Sequence, residues 1–126
     1  MMSVFLVFLG AGLGGVLRYV VNQASARSFG LDFPYGTLTV NIVGSFAMGL
    51  LAGWLALRAS GGGQGVRLFF ATGVLGGFTT FSAFSLDAVL LWERGRWMAA
   101  ALYAGGSVFA AIAALIAGLA IMRSAS

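Results

Sequence analysis

Long apolar runs separated by short polar segments dominate the chain. A helix crosses a bilayer with about 20 mostly apolar residues, and this pattern predicts four such spans at residues 1–21, 35–57, 67–92 and 97–122. The connections are polar, at residues 23–34, 58–67 and 93–96, and the second contains the run SGGGQG. We therefore expect one all-α integral membrane domain, residues 1–126, with both termini on the same side.

Composition excludes several functional classes. The chain is 60% hydrophobic and 8% charged, whereas soluble domains carry roughly 25% charged residues. It has no cysteine and no histidine, which excludes disulfides, thiol chemistry and the common zinc and haem sites. The only acidic residues are Asp32, Asp87 and Glu93. We expect neither an enzyme nor, because the high pI reflects few acids rather than a basic face, a nucleic-acid partner.

The arginines divide almost evenly between the two sides of the predicted bundle. One side holds Arg58, Arg67 and Arg123, and the other holds Arg27, Arg94 and Arg96, with Arg18 near that interface. Orientation normally follows an excess of Lys and Arg in the cytoplasmic loops, and here there is no clear excess. We therefore predict that the chain inserts both ways and forms an antiparallel homodimer with a two-fold axis in the membrane plane. A fixed topology set by another factor is the alternative.

Small residues recur at four-residue spacing in every span. Such stripes let helix backbones approach closely in lipid, which predicts a tightly packed bundle. The stripes are Gly10 and Gly14; Ser45, Gly49 and Gly53; Gly73 and Gly77; and Gly106, Ala110, Ala114 and Gly118.

A few polar side chains lie within the apolar spans, where burial is costly. Asn41 shares one face of the second span with Thr37 and Ser45. Its amide is interpreted either as a structural link between helices or as a donor to a passing solute. Tyr103 and Ser107 share one side of the fourth span. Their hydroxyls are interpreted either as functional groups or as structural ones, the Tyr as an anchor at the membrane interface and the Ser as bonded to its own i−4 carbonyl.

The third span contains poor helix formers in its middle, Gly76, Gly77, Thr79 and Thr80. These residues predict a helix broken within the membrane, whose freed carbonyls suit a cation such as Na⁺. Phe78, Phe81 and Phe84 follow at three-residue spacing with Ser82 and Ser85 beside them. This aromatic stripe either packs the bundle or lines a path.

The predicted interior offers amide, hydroxyl and aromatic edges but no mid-span charge. A proton-coupled pump would use intramembrane carboxylates, so this lining favours a small anion instead. Aromatic ring edges are the positive part of the ring quadrupole. Arg18, near one end of the first span, either raises the anion concentration in a vestibule or extends to the membrane surface.

Three sequence blocks carry a resemblance to a known family. They are GGVLRY at residues 14–19, P-x-GTL-x-x-N-x-x-GS-F at 34–46 and TG-x-x-GGFTTFS-x-F at 72–84. With these blocks the chain resembles the small dual-topology fluoride channels of bacteria, the Fluc or CrcB family. The resemblance implies an antiparallel homodimer in the inner membrane with two pores, which conducts fluoride passively out of the cell and gives fluoride resistance.

The resemblance also implies roles for individual residues. Phe81 and Phe84 would present ring edges to fluoride, with Asn41 as the pore amide and Ser82 beside the rings. Hydroxyls of Thr80, Tyr103 and Ser107 would line the pore, and Arg18 would lie in the vestibule. Backbone carbonyls of Gly76 and Thr79 would hold a structural Na⁺ at the dimer centre.

Two other functions compete with this interpretation. A small dual-topology drug/proton antiporter is also a four-span antiparallel dimer, but it needs an embedded Glu, and the only Glu here is Glu93 in a turn. Asp87 is the acid that could replace it. The other alternative is a non-transporting membrane partner whose stripes pack against a larger complex.

Overall fold

The computed structural model describes residues 1–30, 32–57 and 64–124, and all regular secondary structure in these ranges is helical. Helix α1 is Met2–Phe29, α2 is Tyr35–Leu57, α4 is Ser82–Glu93 and α5 is Trp97–Ser124. Between α2 and α4, helix α3 (residues 64–78) joins the stretches Gln64–Val66, Arg67–Leu75 and Gly76–Phe78. Within these described ranges, four segments are long and apolar enough to cross a membrane: Met2–Phe29, Tyr35–Leu57, Gln64–Glu93 and Trp97–Ser124. Arg58 lies outside the described residues.

The first helix is longer than its apolar run. We expected a polar loop from Gln23, but α1 continues to Phe29 and ends where Gly30 takes a φ of 81°. The loop prediction was wrong because Gln23, Ala24, Ala26 and Arg27 are acceptable helix formers. The helix continues until Gly30, whose positive φ is typical of a residue that ends a helix.

The third segment departs from α-helical geometry. From Arg67 to Leu75 it is a π-helix, the form in which an N–H bonds to the carbonyl five residues back; at its end the Gly76 N–H donates to the Ala71 carbonyl. The helix ends at Phe78, although the Thr79 N–H still donates to the Leu75 carbonyl at 3.0 Å. Thr79 is extended with φ −83° and ψ 159°, and helix resumes at Ser82. π-Helical turns are often found at functional sites.

Glycines let two pairs of helices touch backbone to backbone. On α1, a Cβ at Gly10 would lie 2.9 Å from the Gly73 Cα, and one at Gly14 would lie 2.7 Å from the Phe78 backbone nitrogen. Helices α2 and α5 meet similarly, since a Cβ at Gly118 would lie 2.8 Å from the Leu50 nitrogen. Gly106 is different: nothing lies within 4 Å of a Cβ there, so that member of the α5 stripe makes no close contact within the chain.

Two connections meet at one end of the bundle. The Arg96 Nη1 donates to the Asp32 carbonyl at 2.6 Å, which ties the turn between α4 and α5 to the segment that follows α1. Phe33, in that same segment, packs edge-on against Tyr103, with ring centroids 5.4 Å apart.

Outside the helix contacts, the surface is apolar. Large exposed side chains on α1 and α5 include Phe5, Phe8, Leu13, Leu102, Phe109 and Ile116. Such faces are stable against lipid or another apolar helix rather than against water.

Gly14→Ala tests the close approach of α1 to α3. A Cβ at Gly14 meets the Val74 and Phe78 backbone, so we expect a loss of about 1–3 kcal/mol in the free energy of unfolding in detergent. The matched control is Gly12→Ala on the same helix, where nothing lies within 4 Å of the new Cβ. Equal stability of the two variants would contradict the proposed packing.

Candidate functional site

The side chain of Asn41 on α2 binds both backbone groups of Thr80. Its Oδ1 accepts from the Thr80 N–H at 2.9 Å, and its Nδ2 donates to the Thr80 carbonyl at 3.0 Å. Because the Thr80 N–H must face an acceptor, this pairing also fixes which end of the Asn41 amide is the NH₂ group. The side chain thus links two helices.

This pairing leaves neighbouring carbonyls without their helical donors. In a continuous α-helix the Thr80 N–H would bond to the Gly76 carbonyl, but here it bonds to Asn41. Likewise the Ala83 N–H, the helical donor for the Thr79 carbonyl, bonds to Thr80 Oγ1 at 3.2 Å. In the described part of the chain, the carbonyls of Gly76 and Thr79 accept none of the backbone hydrogen bonds that lie outside regular helices.

Arg18 binds the same interrupted segment. Its Nε donates to the Gly77 carbonyl at 3.2 Å, and the bond is partly buried. The arginine is therefore attached to the backbone of α3, which neither the vestibule nor the membrane-surface interpretation specified.

An open-sided cavity of about 360 Å³ lies next to this segment. It brings together six predicted site residues from three helical segments and the break: Asn41, Thr79, Thr80, Phe81, Phe84 and Ser107. The lining also includes Gly44, Ser45 and Met48 of α2 and four apolar residues of α5, Val108, Ala111, Ile112 and Leu115. The lining residues, all within the described ranges, carry no charge.

Ser107 is the most unusual polar group of the cavity. The residue is 5% exposed, and among the described buried side chains its Oγ is the one recorded with no hydrogen-bond partner. The expected alternative, a bond to its own i−4 carbonyl, is therefore wrong. A buried hydroxyl without a partner costs free energy, so this group is available to a ligand.

Three aromatic rings form a row that begins in the cavity lining with Phe81 and Phe84 and continues to Tyr103. Phe81 and Phe84 have centroids 5.7 Å apart, and Phe84 and Tyr103 have centroids 5.2 Å apart. Phe81 is 76% exposed, so most of its surface makes no contact within this chain.

Tyr103 lies outside the cavity lining, and its hydroxyl is hydrogen-bonded to another side chain. It is 1% exposed, and its hydroxyl donates to Asp87 Oδ2 at 3.2 Å. The sequence interpretation did not pair Asp87 with Tyr103. A signal existed, because both residues lie eight positions from Gly95, in the turn joining α4 and α5.

Three other predicted residues also lie outside the lining. Ser82 is exposed, and its hydroxyl lies 3.4 Å from Thr80 Oγ1. Gly76 is exposed on α3, and Arg18 faces Gly77. The structure thus places six of the predicted site residues in the cavity lining and four, Arg18, Gly76, Ser82 and Tyr103, outside it.

Comparison with known proteins identifies the family. Residues 5–119 match the family described as CrcB-like protein, Camphor Resistance (CrcB). The chain belongs to the CrcB family. Similar proteins include a "Fluoride-specific ion channel FluC 2" of Nitrobacter hamburgensis, 57% identical over 97% of this chain and 98% of that protein. A "Fluoride-specific ion channel FluC" of Methylobacterium nodulans is 59% identical over 98% of both chains.

Family membership shows the functional class of the protein and its location. The CrcB chain is a member of an ion-channel family and not an enzyme. With four helices able to span a membrane and bacterial relatives of matching length, it is a multi-pass inner-membrane protein. The antiporter alternative belongs to a different class of transporter.

Proposed function

We propose that this chain forms a passive fluoride-specific ion channel, which lets cytoplasmic fluoride leave the cell down its electrochemical gradient and gives fluoride resistance. The proposal rests on one observation, the uncharged cavity beside Thr80 in which the Ser107 hydroxyl is buried without a partner. The names of the relatives at 57% and 59% identity support the same ion.

The cavity supplies neutral donors that replace water around a small anion. The Asn41 NH₂ group has two hydrogens; one binds the Thr80 carbonyl, and the second is left for the ion. The Ser107 hydroxyl, which also lines the cavity, donates from α5. The edges of Phe81 and Phe84 add the positive part of their ring quadrupoles.

Neutral donors suit conduction better than a fixed charge. An ion that binds one full charge in a low-dielectric site is held tightly, whereas conduction requires that it leave as well as enter. Arg18 supplies positive potential from outside the cavity, raising the local anion concentration. We expect chloride to be excluded by its size.

We further propose that the working unit is an antiparallel homodimer with two pores. The near balance of arginines between the two sides supports insertion in both orientations. The exposed apolar faces of α1 and α5 and the open side of the cavity offer surfaces that a second copy would cover.

A structural Na⁺ at the dimer centre fits the interrupted third helix, which we place at mid-membrane. The carbonyl oxygens of Gly76 and Thr79 would hold it, since their helical donors are bonded elsewhere. Neutral oxygen ligands are suitable for a hard cation. When bound, the ion would attract these carbonyl oxygens and so stabilise the interface at the dimer centre.

The channel proposal predicts selective efflux from proteoliposomes. The wild-type protein releases fluoride and not chloride, and Ser107→Ala, Phe81→Ile and Phe84→Ile each slow fluoride release by about tenfold or more, because each removes a donor or a ring edge. Matched controls are Ser85→Ala, whose hydroxyl is already bonded to the Phe81 carbonyl, and Phe70→Ile, a partly exposed ring on α3 outside the cavity lining. Wild-type release of chloride at the fluoride rate would contradict the proposal.

Dual topology predicts mixed labelling of a single introduced thiol. The chain has no cysteine, and Glu93 is exposed at the end of α4, where an acidic residue contributes little to orientation. In intact spheroplasts, an impermeant maleimide should label about half of Glu93→Cys, because the copies face both ways.

The control adds Arg27→Ala and Arg94→Ala to Glu93→Cys. Removing positive charge from that side makes it the external side in most copies, so labelling should rise toward completion. All-or-none labelling of Glu93→Cys without those changes would exclude dual topology.

A further inference from the structure

A single peptide group lies between the proposed anion site and the proposed cation site. The peptide that joins Thr79 to Thr80 carries the Thr80 N–H, which donates to Asn41 Oδ1 at 2.9 Å. The same peptide carries the Thr79 carbonyl, which is one of the two proposed Na⁺ ligands.

The geometry of a trans peptide fixes the direction of that carbonyl. No described peptide bond is cis, and in a trans peptide the N–H and C=O point in opposite directions. Because the Thr80 N–H points at Asn41, the Thr79 carbonyl points away from it. The second bond, from Asn41 Nδ2 to the Thr80 carbonyl at 3.0 Å, strengthens the link between the helices, but the bond from the Thr80 N–H alone sets the direction of the Thr79 carbonyl.

Asn41 also frees the other proposed ligand. The Thr80 N–H is the group that would close a helical turn onto the Gly76 carbonyl, and Asn41 Oδ1 holds it away. Without this acceptor, the N–H would be unsatisfied unless the chain at residues 76–80 rewound into helix. Rewinding would cover the Gly76 carbonyl and turn the Thr79 carbonyl along the helix axis.

We propose that Asn41 is a positioning residue for the cation site as well as a donor to the anion. This inference rests on the proposed Na⁺ site at Gly76 and Thr79. Asn41 does not touch the cation; it acts through the Thr79–Thr80 peptide. Removing its side chain therefore weakens Na⁺ binding because the Thr79 carbonyl is no longer held in its direction.

The test measures the Na⁺ dependence of stability without fluoride. Purified protein in detergent is heated at a series of Na⁺ concentrations, with N-methyl-D-glucamine keeping the ionic strength constant. A cation that binds only the folded protein raises Tm in step with ln(1 + [Na⁺]/Kd). Fitting that rise gives Kd, the Na⁺ concentration at which half of the folded protein is occupied (the Na⁺ midpoint). We expect Asn41→Ala to raise that concentration by about tenfold or more.

Two variants separate this role from general damage to the cavity. Ser45→Ala changes the next turn of α2 in the same cavity and should leave the Na⁺ midpoint unchanged. Asn41→Asp keeps an oxygen for the Thr80 N–H but loses the NH₂ group, so it should retain the Na⁺ response while losing fluoride efflux. Should Asn41→Ala fail to fold, Asn41→Ser, too short to reach both Thr80 groups, takes its place with the same expected shift.

Each remaining outcome is decisive. An Asn41→Ala protein with the wild-type Na⁺ midpoint would overturn the inference, as would an Asn41→Asp protein weakened to the same extent as Asn41→Ala. A wild-type protein whose Tm ignores Na⁺ would overturn the cation site and this inference together, while fluoride efflux would still uphold the channel. The opposite pattern, a shifted Na⁺ midpoint in Asn41→Ala without wild-type fluoride efflux, would uphold the inference and overturn the channel.

Discussion

The paired hydrogen bonds between Asn41 and the backbone of Thr80 are the interaction on which the rest of the site depends. They satisfy an N–H and a C=O that would be costly to leave unpaired in hydrocarbon, so the chain can remain non-helical between Phe78 and Ser82. They also orient the Asn41 amide, and one of its two N–H groups takes no part in this pair of bonds. One side chain therefore shapes the backbone on one side and the cavity on the other.

Close helix packing makes that interaction possible. Gly44 on α2 lies directly against the Thr79 and Phe78 side chains, and Gly14 on α1 lies against the backbone of Val74 and Phe78. In lipid, helix association depends on such contacts because water exclusion contributes little. The interrupted segment is consequently fixed from both sides, and Arg18 adds a third attachment at Gly77.

The sequence predicts the helical elements better than it predicts their contacts. Four apolar runs and glycine spacing were enough to predict four membrane-spanning helices and the small-residue contacts of Gly10, Gly14, Gly49 and Gly118. Gly106 has the same spacing but faces open space, because spacing does not determine which side of a helix meets a neighbour. The end of α1 was misplaced because polarity alone does not end a helix.

Contacts between residues far apart in the chain could not be predicted from the sequence, and the reason is physical. Asn41 and Thr80 are 39 residues apart, and their pairing depends on the rotation and depth of two helices, which no local pattern encodes. The same applies to Arg18 and Gly77, 59 residues apart. The roles of Asn41, Phe81, Phe84 and Ser107 in conduction stay predictions, although the structure brings all four to one cavity.

The central claim, that a neutral amide held by Thr80 binds fluoride, is tested most directly by NMR of the ¹⁵N-labelled protein. Asn22 and Asn41 are the only asparagines of the chain, so Asn22 provides an internal control for the side-chain NH₂ signals. At constant Na⁺ and ionic strength, fluoride should shift the Asn41 NH₂ signals to saturation while chloride leaves them in place. Asn41 signals that ignore fluoride, or that respond equally to chloride, would contradict the account.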